Sequence, residues 1–329
     1  MEESFRRKLK RGIKISVGIS AGVSLIILLL TVERKTWVAL GKIRPMGLFL
    51  LSAMWVIYTL LDGLRFKILT RAGDKEISLR KAIEVILTGN FLAAVTPFQT
   101  GGFPVQLYLL NREGINPGKA MAFLAFRGIL IYAPIYILAP IFGLTFFSFS
   151  DSFVMRFLVR YFFIILFIGI LIIGLSLLKP AVTEKFLEKI RDRSHGNIRR
   201  LLDFLIVELE EFRIGLGLFL KNHNLKHLLL AALISIFSLL FYVGLVPALL
   251  YGLGLSPNVL KAMMAQVILM ALLLFIPTPG AGGIAEAGGA ALYSLICPKH
   301  ILGVFIVLWR FFTFYLGAII GGVTTLKEI

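Results

Sequence analysis

Unbroken apolar runs too long for the interior of a soluble domain recur along this chain, among them Ile13 to Val32, Leu158 to Leu178 and Ile301 to Thr324. Each reaches the roughly 20 residues that a helix needs to cross about 30 Å of hydrocarbon. In lipid every backbone N–H and C=O must find its partner within the protein, which leaves helices or a closed barrel. A barrel would alternate apolar and polar residues over segments of about 10, and these runs do not alternate. One such run could be a buried core helix, but six cannot share one soluble core. Full spans are predicted at about 13–32, 45–64, 119–147, 157–178, 227–250 and 301–324. With 58% hydrophobic residues and a mean hydropathy of +0.90, the fold class is an all-α integral membrane protein built as a polytopic helical bundle.

A formal net charge of +17 would suggest nucleic acid in a soluble protein. Here Lys and Arg sit between the apolar spans, where they read as topology signals and lipid-surface contacts, so no nucleic-acid partner is expected. Counted on the two sides that the spans imply, they divide 25 against 8, with Arg127 and Arg310 left inside spans. The excess puts both termini and segments 65–81, 111–119 and 179–226 in the cytoplasm, in a cell (inner) membrane. The outer loop with Arg34, Lys35, Lys42 and Arg44 runs against this bias. The basic stretch Arg6 to Arg11 precedes an apolar run too long for a signal peptide and lacking a small-x-small cleavage site, so it is expected to be an uncleaved signal anchor.

Segment 179–226 is the one long polar stretch, and Leu201, Leu205, Leu209 and Phe212 recur in it at helical spacing. It is expected to be an amphipathic linker lying on the cytoplasmic leaflet. The single cysteine, Cys297, excludes an intrachain disulfide and a cysteine metal cluster. His195, His223, His227 and His300 form no HExxH pattern, so neither a metal nor a cofactor is expected.

Two further apolar regions, 82–110 and 262–297, are interrupted by Thr96-Pro97-Phe98-Gln99-Thr100-Gly101-Gly102 and by Pro277-Thr278-Pro279-Gly280-Ala281-Gly282-Gly283. Proline removes a helix donor and glycine admits left-handed backbone, so neither stretch is the middle of an ordinary helix. Lys81 precedes the first Thr-Pro by fifteen residues and Lys261 the second by seventeen; Arg127 follows Gly102 by 25 and Arg310 follows Gly283 by 27. This order recurs as an internal repeat, the first unit at about 79–147 and the second at about 259–324 of a single transmembrane domain. The charge count makes each interrupted region enter and leave on one side, the first from the cytoplasm and the second from outside. The expectation is two re-entrant broken-helix hairpins in an inverted repeat, as in transporters whose broken helices meet near the midplane.

Half-helix N-termini after Gly101-Gly102 and Gly282-Gly283 would aim free N–H groups at an anion. Arginine near the bilayer centre costs about 2.5–3.5 kcal/mol on insertion scales, so Arg127 and Arg310 should face protein, water or an anion. Glu286 is the protein partner the sequence offers; Glu84 lies near a helix start and Asp62 is expected to cap the end of a span. Thr96, Gln99, Thr100, Gln106 and Thr278 either line a polar cavity or satisfy backbone groups freed by proline. Tyr108, Tyr132 and Trp309 read as packing or interface residues.

At Thr96 to Gln106, at Asn111-Arg112-Glu113-Gly114-Ile115, and at Pro277 to Glu286, the chain resembles the flippase-like transmembrane region of lysylphosphatidylglycerol synthases and their stand-alone relatives. The resemblance covers nearly the whole chain. It implies movement of a phospholipid or modified phospholipid between leaflets. The synthases of that family carry a soluble aminoacyl-transferase domain after the membrane part, and with the chain ending at Ile329, no lysine transfer is expected. The first motif departs from the commoner family pattern, in which a Gly-Glu pair follows the proline, since Gly101-Gly102 and Gln106 stand there.

The function expected is a transporter of a phospholipid or lipid-linked anionic molecule, with Arg127 and Arg310 holding the headgroup and Glu286 balancing charge in the empty site. No GxxxxGK[ST] motif occurs. A membrane scaffold and a lipid-modifying membrane enzyme are the alternatives, the enzyme being short of a nucleophile, metal set or paired carboxylates near the breaks. Expected partners are the lipid substrate and membrane lipids, with self-association into a homo-oligomer left open. With Cys297 replaced, single cysteines at Asn116 and Pro298 are predicted to react with an impermeant thiol reagent only from the cytoplasm and only from outside, respectively; reaction of both from one side would refute the inverted arrangement.

Overall fold

A computed structural model describes residues 22–72, 75–96, 99–147, 225–273 and 278–328, together with 164, 187–192 and positions 199, 202, 203, 206 and 276. Among the described residues all regular structure is helical. In chain order it comprises α1 (Gly22–Thr31), α2 (Arg34–Leu40), α3 (Pro45–Ala72), α4 (Leu79–Val95), α5 (Gly102–Arg112) and α6 (Pro117–Phe147). After the linker come α7 (Leu225–Gly252), α8 (Val259–Leu273), a 3-10 turn (Pro279–Ala281), α9 (Ile284–Tyr293), α10 (Lys299–Arg310), a π-helical turn (Phe311–Tyr315) and α11 (Leu316–Glu328). Among the described residues four helical stretches are long and apolar enough to cross a membrane: α3, α6, α7, and α10 continued through the π turn into α11. These coincide with four of the six expected spans. The span at 157–178 and the linker at 179–226 lie almost wholly outside the described residues, and the span at 13–32 is described only from residue 22.

Helix α3 has Pro at its first position, where the missing N–H breaks no helical bond. Its 28 residues span about 42 Å at 1.5 Å per residue, more than the hydrocarbon thickness. The sequence puts the cytoplasmic boundary at residue 65, yet the helix runs on to Ala72 and Arg65 is only 2% exposed. The reason is local: Arg65 pairs with Asp62 one turn earlier and donates to Ser235 of α7. Asp62 therefore lies inside the helix rather than capping its end.

Helices α3 and α7 form the most extensive pair in the molecule, running antiparallel with Gly47 against Gly252, Met54 against Gly244, Tyr58 against Tyr242 and Arg65 against Ser235. Small residues let the backbones touch: a Cβ on Gly47 would overlap the Gly252 main chain. At the same end the Arg44 N–H donates to the Gly252 carbonyl, and its guanidinium lies 4.4 Å over Tyr251. At the other end Lys67 and Arg71 reach Glu76 in the loop to α4. The hydrogen bond from Lys67 holds the exposed Glu76 carboxyl below its usual range, so this tie is present above that range and lost as pH falls.

The two interrupted regions are helix–break–helix units. Helix α4 is capped by Ser78, ends at Thr96, and packs on α5; α8 packs on α9 across the 3-10 turn. They also meet each other, because α4 touches the turn Pro279–Ala281, and α11 lies along α4. Two apolar cores result, one around α7 to α10 and one around the second half of α3 with α4, α5 and the start of α6. Gly47→Ala is predicted to lower thermal stability in detergent by about 1–3 kcal/mol through overpacking. Gly128→Ala, inside α6 with nothing within 4 Å of its Cβ, should instead hold stability or raise it by up to about 1 kcal/mol.

Candidate functional site

Where the two breaks face each other the protein forms a partly open cavity of about 260 Å³. The first hairpin contributes Asn90, Ala93, Ala94 and Gln99; the second contributes Gln266, Met270, Leu273, Gly280 and Ala281. Helix α3 adds Trp55, Tyr58, Thr59 and Asp62, α6 adds Tyr132, α7 adds Tyr242, and Trp309, Arg310, Thr313 and Phe314 close the far wall. Gln99 (φ 58°) and Ala281 (φ 54°) both hold left-handed backbone, a conformation that costs a non-glycine residue of order 1–3 kcal/mol and clusters at functional sites. Each sits in one of the breaks.

Arg310 is fixed from three directions. Its Nε donates to Glu286 Oε1 at 2.7 Å, its Nη2 donates to the Gly280 carbonyl at 3.0 Å, and its guanidinium lies 4.2 Å from the Phe314 ring centroid. Glu286, fully buried in the first turn of α9, in turn accepts from the Gly283 N–H at 2.7 Å. That N–H points at the carboxylate because Gly283 takes φ 83°, which glycine adopts without strain. The carboxylate thus satisfies the free N-terminus of α9 and the arginine together. Directly after Arg310 the helix widens into the π turn, a local insertion that recurs at functional sites.

Arg127 pairs elsewhere. Its Nε and Nη2 donate to the two oxygens of Asp62 at 3.1 and 2.8 Å, the fork geometry that strengthens guanidinium–carboxylate pairs. Asp62 also meets Arg65, so one carboxylate serves two arginines. The acid lines the cavity, whereas Arg127 and Arg65 stand behind it. Glu286 pairs with Arg310 and with the Gly283 N–H. The sequence points to Glu286 as partner for both arginines, and Asp62 is missed because it comes from a helix outside either repeat.

Of the other residues singled out in the sequence, Gln99 and Arg310 line the cavity. Thr96 donates to the Leu92 carbonyl and accepts from the Gly101 N–H at 2.9 Å, so it serves the backbone of its break. Thr278 does the same across the second break, donating to the Gly282 carbonyl at 3.2 Å. Gly102 brings α5 against α4, where a Cβ would lie 2.8 Å from the Gly89 carbonyl oxygen, and buried Gln106 packs over Gly89. Tyr132 and Trp309, read from sequence as packing residues, line the cavity, and Tyr108 is exposed.

The sequence model for the family described as lysylphosphatidylglycerol synthase TM region matches residues 13–321. The chain belongs to this family. A UPF0104 membrane protein of Archaeoglobus fulgidus is 26% identical over 308 residues, covering 91% of this chain and 92% of that protein. No solved structure is a significant match. Family membership and the four long apolar helices together make this lysylphosphatidylglycerol synthase TM region protein a multi-pass membrane protein.

Within this lysylphosphatidylglycerol synthase TM region the two helix–break–helix units are chemically unequal. Three residues past Gly283 stands Glu286; three residues past Gly102 stands Val105, a buried apolar side chain. Asp62 supplies from α3 the negative charge that α5 lacks. Breaking a buried pair by removing one member costs about 3–5 kcal/mol, because the other charge stays uncompensated. Glu286→Ala is therefore predicted to destabilise the protein by that order, and the Glu286→Gln, Arg310→Gln double variant by clearly less than the sum of its single variants, measured as a double-mutant cycle of unfolding in detergent.

Proposed function

We propose that this protein is a flippase-like transporter that moves the headgroup of an anionic phospholipid or lipid-linked molecule between leaflets. The carrying observation is the cavity between the breaks, with a buried arginine in its wall and neutral donors and acceptors around it. At about 260 Å³ it is smaller than the roughly 300–1,000 Å³ of sites that engulf a drug-sized ligand. It suits a headgroup whose acyl chains stay in the lipid. Arg310, held by Glu286, supplies the positive charge; Gln99 and the tyrosines supply hydrogen bonds; Arg127 and Asp62 set the charge of the opposite wall. The hairpins act as two gates entering from opposite faces, in a cell membrane with both termini cytoplasmic. The chain performs no chemistry on the lipid, and lipid is its partner.

Purified protein in liposomes is predicted to speed leaflet exchange of a fluorescent phosphatidylglycerol. The Arg310→Gln, Glu286→Gln pair, which removes both charges together and so strands neither, should slow exchange about tenfold or more, as expected for loss of a charge-assisted hydrogen bond. Exchange at the protein-free rate with every lipid tried would refute transport.

A further inference from the structure

Neither the repeat nor either motif points to Gln266, yet it is a wall residue whose orientation is fixed by the chemistry of its partners. It lies in α8, is 1% exposed, and lines the cavity. Its Oε1 accepts from the Trp309 indole Nε1 at 3.0 Å and from the Tyr293 hydroxyl. An indole N–H can only donate, so the atom facing it must be the carbonyl oxygen of the carboxamide and not its nitrogen. Both donors are immobile: Tyr293 is fully buried and packed edge-on to Phe305 at 4.9 Å and to Trp309 at 5.5 Å, and Trp309 is 3% exposed. Turning the amide over would set its N–H2 against the buried indole N–H, a donor that cannot accept, and leave that N–H unpaired.

The other end of the carboxamide is then determined. Its N–H2 group carries two donors and makes no hydrogen bond to any described residue, while the side chain forms part of the cavity wall. Two donors call for acceptor oxygens. A neighbouring ammonium or hydroxyl proton would meet them head-on, and Arg310, next in sequence to Trp309 and also in the wall, adds positive charge. Donors and a cation together match the non-bridging oxygens of a phosphate ester.

We propose that Gln266 is a substrate-binding residue whose carboxamide N–H2 donates to a phosphoryl oxygen held in the cavity with Arg310. This rests on the transport reading above and names the group that the cavity recognises. A purely structural role, tying Tyr293 to Trp309, makes a different prediction for one substitution. In Gln266→Glu a carboxylate still accepts from both buried donors, while the pole facing the cavity changes from donor to acceptor. Gln266→Met removes both functions at nearly constant volume.

The test is thermal unfolding of the purified full-length protein in detergent, titrated with dihexanoyl phosphatidylglycerol and, separately, with inorganic phosphate. The lipid should raise the Tm of the wild-type protein. Gln266→Glu should retain the fold, at an unliganded Tm lowered by no more than the burial of its new charge requires, and bind the lipid at least about tenfold more weakly, a difference of about 1.4 kcal/mol. Gln266→Met should lose the lipid-induced shift as well, which carries the test if the Glu variant does not fold. A Gln266-dependent shift with inorganic phosphate would support the same donor role with free phosphate as its source. Equal lipid affinity in wild type and either variant overturns the proposal and leaves transport standing, because leaflet exchange is measured independently. A wild-type protein stabilised by neither probe overturns it too.

Discussion

An ionised side chain placed in hydrocarbon must find its counter-charge inside the protein, and the remaining architecture of this chain follows from how that demand is met. Glu286 answers it for Arg310 and, through the same carboxylate, for the free N–H at the start of α9. The second broken helix is thereby tied to the middle of a long span. Asp62 answers it for Arg127 and Arg65, tying α6 to the α3–α7 pair. Without these contacts the helix ends at the breaks would present bare donors and acceptors to an apolar surrounding, where each costs several kcal/mol.

The breaks are satisfied by their own residues. Thr96 and Thr278 bridge across the backbone of the two loops, and the glycines let α5 approach α4 and let the Gly283 N–H turn toward Glu286. What remains between the hairpins after this internal satisfaction is a small space whose largely apolar wall carries a few polar side chains. Its walls come from both halves of the chain, so neither repeat alone would enclose it. The close backbone contact of α3 with α7 gives that space a fixed side, against which two short hairpins pack with few residues each.

Much of this was legible in the residues. The apolar runs predicted the long helices, the Pro/Gly breaks predicted where α4 and α8 stop, and Glu286, three residues past Gly283, was the carboxylate the sequence offered to Arg310. Asp62 was not legible as the partner of Arg127, because the two are 65 residues apart and meet only when α3 packs on α6. Arg65 looked like the first residue of a basic loop, since a charge buried by a turn-spaced acid and a distant serine resembles one in water until the packing is known. Gln266 left a fainter mark, a lone carboxamide in a fifteen-residue apolar helix, which in lipid is itself a sign of a polar partner. The π turn left none, because an extra residue in a helical turn has no composition of its own.

Taken together, the three arginines and two carboxylates gathered around the cavity leave one positive charge in surplus among the described residues. That surplus would be felt by the voltage across a membrane, where one elementary charge is worth about 2.3 kcal/mol per 100 mV. A monoanion entering the space would bring the set to neutrality, so the electric field would pull on the empty protein and scarcely on the occupied one. On the transport reading proposed above, membrane potential would then bear on the step in which the vacant site resets, and passage of the filled site would be electrically silent.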